Sequence, residues 1–182
     1  MSLYRYAGLL SPVIALASIA IAILTHPWFS FTENAISDLG ALSVDYNYIL
    51  NYGLIVSGAL GVIFSVGLYR VMKSSISKLG SFLVLLGCIF LVLVGLFPEG
   101  LEPHFYVSVL FFVVTAVGVF MIGIGILRDN RHYATVTLLL ISTGVALSVL
   151  FLSMFPGVAI AELMMSLTFS AWMILTSEAI LS

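Results

Sequence analysis

The sequence predicts an all-α integral membrane protein, a bundle of six transmembrane helices with both termini on the cytoplasmic side. Three observations predict it. Of the 182 residues, 62% are hydrophobic and only 8% charged, whereas soluble domains carry roughly 45–50% apolar and about 25% charged residues. Six apolar stretches each approach the about 20 residues that a hydrocarbon core of roughly 30 Å requires. All six Lys and Arg residues fall beside alternate helix ends. A mean hydropathy of +1.25 leaves too few charges to cover a water-facing surface. Soluble enzymes, nucleic-acid binders and disordered tails are excluded on that ground, and no basic footprint exists for a polyanion.

The spans are expected at 7–25, 48–69, 79–97, 105–127, 133–155 and 158–181, all within one transmembrane domain, 1–182. Strands of a membrane barrel alternate with period two, which the run Ser81-Phe82-Leu83-Val84-Leu85-Leu86 does not. The first span follows Arg5. Its Ala15-Leu16-Ala17 resembles a signal cleavage site, but removal would leave an odd number of spans. The second carries Ser57, Gly61 and Ser65 on a four-spaced ridge, the small-residue pattern for close helix approach. The third holds the single cysteine, Cys88, so no intrachain disulfide exists. Pro103 suits the first turn of the fourth. Arg128 and Arg131 bracket the turn into the fifth, and Glu162 sits one turn inside the sixth.

Arg5, Arg70, Lys73, Lys78, Arg128 and Arg131 lie on one side; the other three loops contain no Lys or Arg. The positive-inside rule then makes both termini cytoplasmic and the chain a multi-pass protein of the cell membrane. A shift of 58 residues matches Arg70 with Arg128, Pro98 with Pro156, and Ser108 with Ser166. It is read either as a parallel hairpin repeat or as shared span-and-turn grammar.

The outer face collects the chemistry. Glu33, Asp38 and Asp45 lie in the first outer loop, Glu99 and Glu102 in the second, with Glu162, His26 and His104 at the same level. Like charges without partners share protons or recruit a cation. Ser30-Phe31-Thr32-Glu33 fits a capping box for a short helix ending at a left-handed Gly40. Glu33 is thereby explained as a cap, and Asp38 is left free for function. Ser37, Asp38, Glu99, His104 and Glu162 are the expected pocket, with Glu162 hydrogen-bonded to His104, its partner under the 58-residue shift. His26, Asp38, Glu99 and His104 are the weak candidates for a divalent metal, the one cofactor such residues would admit. They lack the short fixed spacing of a zinc motif. A transporter is poorly supported because the midplane holds only hydroxyls such as Ser57, Thr115, Ser148 and Ser170.

The stretch Ile36-Ser37-Asp38-Leu39-Gly40, then Asn51-Tyr52-Gly53-Leu54-Ile55, then Phe97-Pro98-Glu99 and His104-Phe105 resembles the DUF998 family of prokaryotic six-span membrane proteins. More distantly, the Ile-Ser-Asp-x-Gly pattern is similar to the DRAM and Frag group. That likeness points to Ser37, Asp38 and Gly40, more loosely to His104, and lends weight to a lipid-related role. Intramembrane zinc hydrolases, which use several histidines with Ser and Asp, are a poorer match, since only two histidines lie outside. The expected function is a lipid-interacting polytopic protein with an acidic and histidine-bearing pocket at the extracytoplasmic mouth. The alternative is a non-catalytic accessory subunit using that face for docking. Catalysis, as a metal-dependent lipid hydrolase, and transport rank below these. Membrane lipids are the expected partners, with protein subunits or a second copy as further ones and no nucleic acid.

Overall fold

Two helix starts in this protein are set by side-chain caps rather than by the edges of the apolar runs. Ser74 accepts a hydrogen bond from the Ser77 amide at 3.0 Å, and Asn130 accepts from Tyr133 at 3.1 Å. Each satisfies an orphan N–H of a first turn, so those helices begin earlier than hydropathy alone places them. The computed structural model describes residues 2–181. The helices are α1 (Ser2–Thr25), α2 (Tyr48–Val71), α3 (Ser75–Leu96), α4 (Pro103–Gly125), α5 (Arg131–Met154) and α6 (Ala159–Ala179), with one 3-10 turn at Ile36–Gly40. All six helices are long and apolar enough to cross a membrane, and no strand occurs among the described residues.

Each helix packs on the next, and α6 returns to α1, which closes the bundle into a ring. α6 is the most buried helix and α5 the least. From α6, the fully buried Trp172 meets Phe64 of α2 edge-on at 5.9 Å, and Phe169 meets Phe111 of α4 at 5.7 Å. The α3–α4 crossing is close because Gly80 and Gly118 face each other: a Cβ on either would come within 2.6–2.8 Å of the other's carbonyl oxygen. On α2, Ser57, Gly61 and Ser65 are buried as the ridge predicts. Ser57 and Ser11 of α1 donate to each other's carbonyl oxygens at 2.9 Å. These are packing roles.

The ends of the bundle differ in charge. At the cationic end, Arg5 grips Glu178 of α6 with two contacts of 2.7 and 2.9 Å, and Arg70 lies over the Tyr4 ring. The acidic end carries the 3-10 turn, laid across the ring. There Ile36 and the fully buried Leu39 pack with Ile19, Ala22, Leu50 and Ala159.

The capping-box expectation for the first loop fails. The helical turn begins at Ala35 rather than Ser30, and the reach-back acceptor is Asp38, whose Oδ2 takes the Ala35 amide at 2.9 Å. Ser30 bonds Thr32 through its hydroxyl instead. Gly40 is not left-handed either: among the described residues only Gly100 is a positive-φ glycine. Gly40 is there for closeness. A Cβ would sit 2.6 Å from Asn51 Oδ1, while Asn51 Nδ2 donates to the Gly40 carbonyl at 2.8 Å.

Candidate functional site

Loop 1 is held over the mouth by backbone bonds to the start of α6. The Gly157 amide donates to Thr32 O at 2.8 Å and the Ala159 amide to Asn34 O at 2.9 Å. The second bond satisfies one orphan N–H of the α6 first turn. One turn on, Glu162 Oε2 accepts the Ile36 amide at 2.5 Å. Glu162 thus serves the 3-10 turn, and the expected Glu162–His104 bond is not formed.

His104 pairs with the loop between α3 and α4. Pro103 opens α4, and the buried imidazole of His104 folds back so that Nδ1 donates to Phe97 O at 2.7 Å. Its Nε2 lies 3.0 Å from Glu99 Oε2 and 3.2 Å from Ser108 Oγ, one helical turn below. A carboxylate only accepts, so the 3.0 Å contact requires one proton held between ring and carboxyl. Ser37 Oγ donates to the same Glu99 oxygen at 3.3 Å. Glu99 therefore joins the 3-10 turn to α4, and the two loops at the acidic end are one unit.

Ser37, Asp38, Glu99, His104 and Glu162 all line a single groove of about 580 Å³ between loop 1, α4, α5 and α6. Its lower walls are apolar: Phe105, Val109, Val113 and Leu152 are exposed on the outside of the bundle at its rim. A second groove of about 680 Å³ continues along the α4–α5 seam to Phe120 and Ile141, sharing Phe112, Val113, Ser148, Leu152 and Met165 with the first. Inward, an internal cavity of about 100 Å³ shares Ser37, Ser108, Phe112 and Glu162 with the groove.

His26 stands apart. Both its ring nitrogens face backbone carbonyls, Nδ1 to Ala22 O at 2.6 Å and Nε2 to Asp45 O at 2.7 Å. Held by these main-chain contacts, it fastens loop 1 to the end of α1 and is not among the residues that line the groove. Among the described residues, no three His, Cys, Asp or Glu side chains come together in an arrangement that could hold a metal ion. Ser108, His104 and Glu99 include the residue types of a nucleophile, a base and an acid. In a working triad, however, serine and carboxylate use opposite imidazole nitrogens; here both face Nε2 and Nδ1 is bound to Phe97.

The sequence reading missed the apolar groove, the Ser108–His104 contact and the role of His26. Only the four-residue spacing of His104 and Ser108 was visible as a signal. A six-helix membrane-spanning bundle with a polar mouth opening sideways defines the class of protein. Within that class, the chain belongs to the family described as protein of unknown function DUF998, which it matches over residues 9–177. No curated protein and no solved structure matches the chain.

Proposed function

We propose that this protein binds a membrane lipid at its acidic end, with the headgroup at Ser37, Asp38, Glu99, His104 and Glu162 and an acyl chain in the α4–α5 groove. The observation that carries this reading is the continuity of a polar pocket with an apolar groove open to the bilayer side. A docking surface for a partner subunit needs no such groove, and its side chains can remain splayed. The absence of cations from this end supports an extracytoplasmic mouth in the cell membrane, with both termini in the cytoplasm. From Phe105 to Phe120 the α4 wall rises about 22 Å at about 1.5 Å per residue, more than one leaflet of a core roughly 30 Å thick. A whole acyl chain fits along it.

Native mass spectrometry of the purified protein tests the reading. Wild type is expected to retain a lipid, and Val113→Trp, which fills the groove from an exposed position, is expected to lose it. Equal retention by both proteins, or none by wild type, would overturn the proposal. The orientation is checked by single-cysteine labelling: probes at Val44 and Leu101 should react from outside and one at Ser75 should not, and the reverse pattern would refute it.

A further inference from the structure

The internal cavity of about 100 Å³ carries a row of polar groups that the protein itself does not satisfy. Glu162, Ser166 and Ser170 line it at four-residue intervals, on one face of α6. At about 1.5 Å per residue this row runs inward from the mouth for about 12 Å, close to the middle of a core roughly 30 Å thick. Ser170 is only 7% exposed, and no hydrogen bond among the described residues engages its hydroxyl or that of Ser166. Thr115 Oγ1 also lacks a partner, but it is pressed against Gly87 of α3 and has no surface left for a guest. The Ser170 oxygen is not closed off in this way, so it opens into the cavity. A portal framed by Ser37, Ser108, Phe112 and Glu162, which line both spaces, joins the cavity to the outer groove. The inner end stops at Trp172, backed edge-on by the fully buried Phe64.

We infer that this cavity is a blind water inlet: a short chain of ordered waters enters from the acidic end and carries hydrogen bonds from Glu162 inward to Ser170. The volume gives room for about three waters at the liquid share of about 30 Å³ each. Most of the wall is apolar, and a wholly apolar cavity of comparable size stays dry; a water needs about two to four polar partners. The polar side of this wall supplies them. Each hydroxyl of Ser166 and Ser170 donates once and accepts twice, and the Glu162 carboxyl and the hydroxyls of Ser37 and Ser108 continue the row to the portal. Leaving a buried hydroxyl unbonded costs more than ordering a water beside it. At the floor the polar wall ends, because Trp172 Nε1 is buried with no open surface and Phe64 behind it is apolar. The waters therefore stop near the middle of the bundle, and the inlet does not become a channel. Water here and a lipid in the outer groove are independent of one another.

Radiolytic hydroxyl-radical footprinting of the full-length protein in detergent tests this, because a radical made from a bound water oxidises the side chain beside it. Phe169 lines the cavity and Phe64 does not, although both are buried. Oxidation is expected at Phe169 and not at Phe64. When heavy-oxygen water is mixed in just before exposure, the oxygen added at Phe169 should carry the heavy isotope, since the inlet exchanges with the outside. Ser166→Leu, which fills the cavity from α6, should lose the oxidation at Phe169. Oxidation at Phe169 no greater than at Phe64 overturns the inference, whether both are silent because the cavity is dry or both react because the floor leaks. Oxidation at Phe169 without the heavy isotope overturns the inlet, because the waters are then sealed in. A folded Ser166→Leu protein that keeps wild-type oxidation at Phe169 also overturns it. Should that variant not fold, the contrast between the two phenylalanines in wild type decides alone.

Discussion

The α3–α4 and α4–α5 seams share one helix and differ in almost everything else. At the first, Gly80 and Gly118 bring the two backbones together, leaving no room for a guest. At the second, Leu138 of α5 packs onto Gly123 near the cationic end, but further along Phe112, Val113, Phe120 and Val149 line a gap open on the outside of the bundle. Lipid tails are as apolar as leucine, so helix association in a membrane depends on close packing rather than on apolar burial. Under the 58-residue shift, the α2–α3 pair corresponds to α4–α5, yet the former packs closely and the latter does not. Whatever the origin of the matched residues, one pair of helices became scaffold and the other a seam.

The largest expected effect comes from disturbing the tight seam. In Gly118→Leu, the new Cβ would lie 2.8 Å from Gly80 O and 2.9 Å from the Val84 amide, both backbone atoms that cannot step aside. Overpacking of this kind costs about 1–3 kcal/mol, and thermal unfolding in detergent should show a clear drop in Tm. At the open seam, Val113→Trp should change stability by no more than about 0.5 kcal/mol. Similar losses at both seams would break the comparison.

A smaller effect separates the two acids of loop 1. Asp38→Ala removes the acceptor of the Ala35 amide and should cost about 1 kcal/mol, the usual worth of a cap. Glu33→Ala should be close to neutral, because no side-chain bond of Glu33 supports the turn. Amide hydrogen exchange at Ala35 and Ile36 reads this directly: faster exchange in the first variant only is the expected outcome.

These two acids also show where sequence reading stops. Span number, helical class and the sorting of charge follow from composition along one dimension, and the structure has all six helices. The glycine distribution even hinted at the unequal seams, since α3 carries Gly80, Gly87 and Gly95 whereas α5 carries only Gly144. Capping is subtler: Ser30-x-x-Glu33 satisfies a residue pattern, but the chain takes its turn five residues later, where Ile36 and Leu39 can reach the core. Burial of those two side chains chose the turn, and Asp38 capped it. Partners across the mouth were not legible either. Ile36 claims Glu162 and Phe97 O claims His104 because backbone groups brought in by loop closure compete with side chains. His26 is the plainest case, since both its ring nitrogens lie against main-chain carbonyls that no residue pattern encodes.

The central claim is that the α4–α5 seam holds a resident lipid while the tight half of the bundle meets only bulk bilayer. A photo-crosslinking amino acid at Val113, in the groove, compared with one at Phe82, exposed on α3, tests it most directly. After activation in native membranes, the adduct at Val113 should be enriched in one lipid class, and the adduct at Phe82 should reflect the membrane's average composition. The same average composition at both positions would contradict the account.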